Sequence, residues 1–210
     1  MSAAFNPRVV ETTGLDLCAD SSSTASFLSV IGHDVHLCSI VPDGGSCTGR
    51  WFGTDLPAAT TWAVSESEAG RNVYWTVNRV AENCNRKPGK VDIVGVRFAH
   101  IDIDPPKTGG AFDKLQTHAE LLSLPAPPTL IIDSGGGLQA FWRLVGPASV
   151  SEIEAVNRSL AERMGGDNCH NVDRLMRLPG TINYPTIKKR AAGRIPALAK
   201  VIYDANVILN

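Results

Sequence analysis

The chain has 210 residues, of which 43% are hydrophobic and 20% charged, and its net charge is −1. Such a chain can bury the core of one ordinary globular domain, and no apolar run in it approaches membrane-spanning length. Near-neutral charge argues against a protein that wraps nucleic acid by bulk attraction, so any DNA contact must come from local patches. The five cysteines (Cys18, Cys38, Cys47, Cys84 and Cys169) are odd in number and contain no C-x-x-C pair. Together with an N-terminus lacking a basic-then-apolar signal layout, they predict reduced thiols in a cytoplasmic protein.

Residues 1–23 are polar and Ser-rich and are expected to be a loosely ordered lead-in to one domain over 24–210. Phe27, Leu28 and Ile31 share one helical face, so a short helix is predicted from Thr24 to Ile31, with Gly32 as its stop. His36 to Val41 reads as a strand entering the turn Pro42-Asp43-Gly44-Gly45. His33, His36, Cys38 and Cys47 match no standard zinc spacing, and His36 and Cys38 fit better as one face of that strand. A helix is predicted over 56–69, packed through Trp62, and then a strand over Asn72 to Val77 leading into Asn78 and Arg79. The loop at 83–90, NCNRKPGK, is basic and turn-rich. It is read as a solvated surface whose Arg86 is a candidate for phosphate-backbone contact.

The segment Arg97 to Pro106, RFAHIDIDPP, is the most informative stretch. In a strand, side chains at i and i+2 share a face, so Asp102 and Asp104 project together while Ile101 and Ile103 point into apolar packing. Two adjacent carboxylates repel, and a fold keeps them together when a cation sits between them or one is protonated. Oxygen donors suit Mg²⁺ or Mn²⁺. Pro105 and Pro106 end the strand and leave the pair at its tip.

A turn at 107–110 and an amphipathic helix at 111–123 follow, the latter with Phe112, Leu115, Ala119 and Leu122 as its stripe. Strands over Thr129–Ile132 and Leu138–Leu144 then form a hairpin around Ser134-Gly135-Gly136-Gly137, a tip that lets a ligand approach the backbone closely. Gln139 lies on the strand face opposite Trp142. Ser149 and Glu152 form a capping box for a helix carrying Ile153, Val156, Leu160 and Met164, which stops at Gly165-Gly166. Next comes DRLMRLPGTIN, residues 173–183, where Asp173 lies beside Arg174 and Arg177. An acid next to two arginines suits a site that handles both a cation and a phosphate. Lys188, Lys189, Arg190, Arg194 and Lys200 make the C-terminal part basic.

The D-x-D strand end, the Ser-Gly-Gly-Gly hairpin and D-R-x-x-R-L-P-G-T-x-N, in that order, resemble the archaeo-eukaryotic primase superfamily. The nearest resemblance is to its RepB-like primase-polymerase branch of plasmids, phages and mobile elements, and NVYWTVN is similar to the strand that precedes the family's first acidic motif. The resemblance runs from about Phe27 to Asn183. It implies an α+β fold in which a central antiparallel or mixed sheet like an RNA-recognition motif (about 96–210) packs against an N-terminal α/β half (about 24–95), with the site in the cleft between them. It further implies that Asp102, Asp104 and Asp173 hold two divalent ions, Mg²⁺ or Mn²⁺. Ser134, Gly135, Gly136 and Gly137 would contact the incoming triphosphate. Gln139 stands where the family has a histidine; its amide can donate to phosphate but carries no charge. Arg174 and Arg177 would lie near phosphate, and Asn78, Arg79, Arg86, Lys188, Lys189 and Arg190 are candidates for template contact.

The activity so implied is template-directed nucleotidyl transfer from ribo- or deoxyribonucleoside triphosphates on single-stranded DNA, with a replicative helicase in cis or in trans. Two ions about 4 Å apart would activate the attacking 3′ oxygen and stabilise the leaving pyrophosphate. One rival is a catalytically weakened binding module of the same fold, marked by Gln139. The other is a nicking enzyme, which needs a nucleophilic tyrosine beside a histidine cluster; Tyr74, Tyr184 and Tyr203 have no such sequence neighbours.

Overall fold

A computed structural model of the chain describes residues 17–106 and 112–205. The turn expected at 107–110 and the first sixteen residues lie outside them. Helix α1 (Ser21–Ile31) begins earlier than predicted, because the Asp20 carboxylate accepts from Ser23 N at 3.0 Å and caps it. Ser21 to Ser23 are therefore the first helical turn and not part of a loose lead-in. Strand β1 (Val35–Ile40) turns through Pro42 to Gly45 into β2 (Cys47–Gly53), an antiparallel partner not foreseen because CTGRWFG carries little alternation. Helix α2 (Leu56–Glu68) buries Ala59 and Ala63, with Trp62 at its edge against Phe52. Strand β3 (Asn72–Thr76), a short ladder of β4 (Arg79–Val80) with β5 (Ile93–Gly95), and β6 (Phe98–Ile103) follow.

Helix α3 (Lys114–Leu122) is capped by Asp113 and buries Leu121. Its predicted stripe was partly misplaced, since Leu115 is 82% exposed and Ala119 also faces out. Strands β7 (Leu130–Asp133) and β8 (Leu138–Arg143) make the glycine-tipped hairpin. Helix α4 (Val150–Met164) carries the predicted capping box, yet its buried polar residue is Asn157, and Val156 lies half-exposed. The remaining elements are β9 (Leu175–Arg177), β10 (Ile182–Asn183), α5 (Ile187–Ala191), β11 (Ala197–Leu198) and β12 (Lys200–Asp204). No helix among the described residues is long and apolar enough to cross a membrane.

Two four-stranded antiparallel sheets result, ordered β2-β1-β3-β9 and β12-β7-β8-β6. The first takes its last strand from the C-terminal part of the chain, so the two halves interlock and do not separate at residue 95. Trp75, fully buried on β3, joins the sheets: its ring lies 5.8 Å from Phe98 on β6, 5.2 Å from Phe141 on β8 and 5.1 Å from Phe27 on α1. Such aromatic contacts add to the large apolar area these rings bury. On the other face of the second sheet, Ile101, Ile103, Leu138 and Ala140 form a separate core, with Leu121 and the partly buried Leu160 and Met164 over them.

The outer edge of β6 is covered by polar groups of the chain that follows. Asn157 Oδ1 accepts from His100 N at 2.8 Å, and Asp167 N donates to Asp102 O at 2.8 Å. An edge closed in this way cannot recruit another strand. Asn78, fully buried, ties the two layers together. Its carbonyl oxygen accepts from Arg97 N and Phe98 N, and its amide donates to Val172 O at 2.9 Å. The expected contact of Asn78 with template is therefore corrected: every group of this side chain is spent inside the protein.

Replacing Asn78 with Ala would leave these buried backbone groups unpaired, each at a cost of about 1–3 kcal/mol. We expect Asn78→Ala to lower unfolding stability by about 3 kcal/mol in urea titration, against less than about 1 kcal/mol for the exposed neighbour in Arg79→Ala.

Candidate active site

Strand β6 carries Asp102 on the face turned toward the first sheet and ends one residue before Asp104. Asp102 pairs in register with Gln139 on β8, and Gln139 Nε2 donates to Asp102 Oδ1 at 3.3 Å. The other end of the same amide accepts from Arg177 N at 3.0 Å, so Gln139 fastens the end of β6 to β9 in the opposite sheet. Asp102, Asp104, Gln139 and Arg177 all line one cleft of about 290 Å³.

Asp167 also lines this cleft and was missed in the sequence. It follows the helix stop at Gly165-Gly166, and its backbone N–H holds the carbonyl of Asp102. Gly166 makes the approach feasible: a Cβ there would stand 2.7 Å from Ile101 Cγ1 and 3.1 Å from Asp102 O. Asp173 does not join the pair. It lines a neighbouring depression with Lys87 and Asn171. Among the described residues no three acidic, imidazole or thiol side chains converge closely enough to hold a metal ion by themselves. Asp173 is not among the residues lining this cleft, whose carboxylates are Asp102, Asp104 and Asp167. The zinc alternative also fails, since His36 is engaged by Thr76 Oγ1 at 2.8 Å and Arg86 O at 3.1 Å.

The hairpin tip packs directly against the carboxylates. Ser134 Oγ accepts from Gly137 N at 3.0 Å, and Ser134 N donates to Gly137 O, so the serine shapes the turn itself. A Cβ on Gly137 would collide with the carbonyl of Ile103 and stand 2.7 Å from Asp104 Oδ1. Asn183 on β10 donates to Ser134 O at 2.7 Å and anchors the tip from the other side.

Cations face the acids. The Arg177 guanidinium lies over the Tyr74 ring at 4.2 Å and donates to Tyr74 Oη and Asn183 Oδ1. Its Nη1 is buried without a hydrogen-bond partner among the described residues. Burial pulls its pKa down, while Tyr74, Asp102 and Asp104 oppose that shift. Arg174 and Arg194 line the cleft as well, and Lys189 Nζ lies 3.6 Å from Asp104 Oδ2.

The remaining template candidates are dispersed. Lys188 is exposed on α5, and Arg190 pairs with Asp43 at 3.4 Å. Arg79 pairs with Asp34 at 2.8 Å and Arg86 with Asp92 at 2.7 Å, and neither lines the cleft. Tyr74, Asn183 and Arg194 also line the cleft; the first two lie within the quoted stretches NVYWTVN and DRLMRLPGTIN but were not singled out for this site in the sequence.

No family model matches this sequence, and no curated protein matches it. Solved structures do. The chain is similar to the archaeo-eukaryotic primase (AEP) domain of the primase-polymerase of cyanophage S-2L, with a TM-score of 0.64 at 17% identity over 92% of this chain and 95% of that one. It is similar to the catalytic domain of primase RepB′ in complex with initiator DNA, with a TM-score of 0.60 at 17% identity over 89% and 86% of the two chains. A second RepB′ structure matches with a TM-score of 0.59 at 16% identity, and this chain spans 57% of its length. The fold is therefore that of the AEP primase-polymerase domains, as the ordered motifs implied.

Burial, and then the neighbouring Asp104, push the Asp102 carboxyl up from 3.8 to about 6, against the opposing pull of Gln139 and Arg174. Between these values the folded chain holds the proton more tightly than the unfolded chain. Unfolding there releases a proton, so stability falls as pH rises from about 4 to about 6 and stays reduced above. In metal-free buffer Asp102→Asn should therefore stabilise the fold at pH 7.5 by up to about 3 kcal/mol, with the gain shrinking toward pH 4. Thermal unfolding across that range checks this. One variant tests the hairpin: Gly137→Ala should displace the tip from Asp104 and cut activity by about tenfold or more, measured as primer extension against wild type.

Proposed function

We propose that this protein is a DNA primase-polymerase, a nucleotidyltransferase that makes or extends primers on single-stranded DNA from nucleoside triphosphates with Mg²⁺ or Mn²⁺. The observation that carries this reading is the meeting, in one cleft, of a paired carboxylate, a glycine hairpin and an incompletely partnered buried arginine. The donor set fits a hard divalent ion. Mg²⁺ is usually bound by one or two carboxylates together with waters and substrate phosphates, so the Asp102–Asp104 pair needs no third protein ligand at the first ion. Asp167 is the carboxylate best situated to contribute further. When bound, the ions would activate the attacking 3′ oxygen and neutralise the leaving pyrophosphate.

The chain's own residues supply the rest. Arg177, with Nη1 still without a partner, is built to receive a phosphate oxygen, and its guanidinium is held flat by Tyr74. Lys189 and Arg194 would close on the triphosphate from α5 and the loop after it, supplying fixed positive charge where negative charge accumulates. Gln139 does not serve as a phosphate donor in this scheme. It orients Asp102 and locks the two sheets at the floor of the cleft. The exposed Lys188 is a candidate for template backbone contact, and a helicase in cis or in trans would supply the unwound strand in the cytoplasm.

A second reading, a binding module of the same fold with weakened chemistry, is favoured by one observation: an uncharged amide, already committed at both ends, stands where the related motif has histidine. Primer synthesis and primer extension on single-stranded DNA, with labelled nucleotides and Mg²⁺ or Mn²⁺, separate the two. Wild-type product, reduced at least about a hundredfold in both Asp102→Asn and Asp104→Asn, is expected for the enzyme. Undiminished product in those variants would sink the site assignment, and no product in either mode from wild type would leave only the binding module. Asp167→Asn should weaken activity more than Asp173→Asn, the reverse of what the linear motif implies.

A further inference from the structure

Asn183 and Ala197 pair with each other where β10 meets β11, and the chain between them makes an excursion along one side of the cleft. Its short helix α5 buries none of its five residues, and Ile187 is exposed, so apolar packing does not fix its orientation. Yet this excursion carries two of the cleft's cations. Lys189 Nζ lies 3.6 Å from Asp104 Oδ2, and the Arg194 guanidinium lies against Gly136 of the hairpin tip.

Asp43, in the turn between β1 and β2, holds α5 from another direction. Its Oδ1 accepts from Ile187 N at 2.6 Å, and its Oδ2 pairs with Arg190 Nη2 at 3.4 Å. Arg190 also donates from Nη1 to Pro185 O at 2.7 Å, which draws its guanidinium back onto the start of the excursion. Among the described residues, the hydrogen bonds and ion pairs that tie 185–196 to the rest of the chain end at Asp43 and Asp104. Asp43 sits at φ +65°, a conformation that glycine adopts without cost, and the next two residues of the turn are glycines. A non-glycine residue there is uncommon, and this one has both carboxylate oxygens engaged.

Resting on the primase-polymerase reading, we propose that Asp43 is a positioning residue for the cations that meet the triphosphate. Lys188, Lys189 and Arg190 are consecutive, and successive side chains leave a helix about 100° apart, so one of the three faces the acids at a time. By capturing Arg190 and the N–H of Ile187, Asp43 sets the rotation of α5. Lys189 then meets Asp104, Lys188 is left to solvent, and Arg194 follows onto the hairpin tip. Asp43 touches no substrate and acts through Lys189 and Arg194.

The test uses Asp43→Gly, which removes the carboxylate and suits the φ of the turn. The midpoint of thermal unfolding is therefore expected to stay within about 3 °C of wild type. Binding of inorganic triphosphate and of the four deoxyribonucleoside triphosphates, each with Mg²⁺, is measured by calorimetry; the inorganic probe reports the phosphate end without a base. We expect Asp43→Gly to weaken both about five- to tenfold, and Asp43→Asn, which can still accept from Ile187 N, about two- to threefold. In a chain already carrying Lys189→Ala, adding Asp43→Gly should cost about twofold or less, because the main group it positions is gone. Undiminished binding in Asp43→Gly would overturn the assignment. So would an equal loss in the Lys189→Ala background, or a large fall in the unfolding midpoint, which would mark a merely structural role. Wild type that binds neither probe would instead overturn the primase-polymerase reading itself.

Discussion

Two carboxylates that a strand end forces onto neighbouring positions are the constraint around which this molecule is arranged. Asp102 does not ionise freely, because burial and then the neighbouring carboxyl of Asp104 hold its pKa up at about 6. The fold answers with an amide from Gln139 and with four cationic side chains, Arg174, Arg177, Lys189 and Arg194, lining the same cleft as the three acids. The cleft is thus locally rich in both signs, although the whole chain carries a net charge of only −1. A site of that kind has the mixed charge that the proposed metal-bound nucleotide would require, which neither a simple anion site nor a simple metal cage would.

The acidic pair was legible because strand alternation is a local property: Ile101 and Ile103 pack under α3 and α4 while Asp102 faces the opposite sheet, as the period of two demands. What failed were assignments that depend on contacts distant in sequence. Asp167 and Asp173 are six residues apart, and nothing in the local pattern says which one turns toward β6. The choice is made by the close approach of Gly166 to Ile101 and by the hydrogen bond from Asp167 N to Asp102 O. Asn78 reads as a polar residue after a strand, and only its three backbone partners, up to 94 residues away, explain its burial. Strand β2 escaped notice because its glycines and charges break alternation. One of those glycines, Gly49, is needed where the carbonyl of Arg86 passes over the sheet.

The most distinctive sequence motif divides into chemistry and scaffold. Arg174 and Arg177 reach the cleft, but Pro179-Gly180-Thr181 does not. Gly180, at φ +81°, sits where a Cβ would stand 2.6 Å from Thr24 N, and its carbonyl accepts from Asp20 N at 2.8 Å. Thr24 Oγ1 donates to Pro179 O at 3.0 Å, and the backbones of Gly180 and Thr181 exchange hydrogen bonds with Ala199. This part of the motif docks the start of α1 and the approach to β12 onto the end of β9. A stretch that reads as a functional signature works in large part as masonry behind the functional groups.

Gln139 illustrates how one substitution can move a role instead of deleting it. A histidine at this position would titrate near the working pH and carry charge toward a phosphate. The glutamine amide does neither. It has one donor group and one acceptor group, and both are used, toward Asp102 and toward the backbone of Arg177. The amide itself does not titrate, so any pH dependence of this contact comes from Asp102. The cationic groups lining the cleft are instead Arg174, Arg177, Lys189 and Arg194. Proton occupancy at the cleft floor then rests on the carboxylates and chiefly on Asp102, whose burial and like-charged neighbour both press it toward a proton or a metal ion.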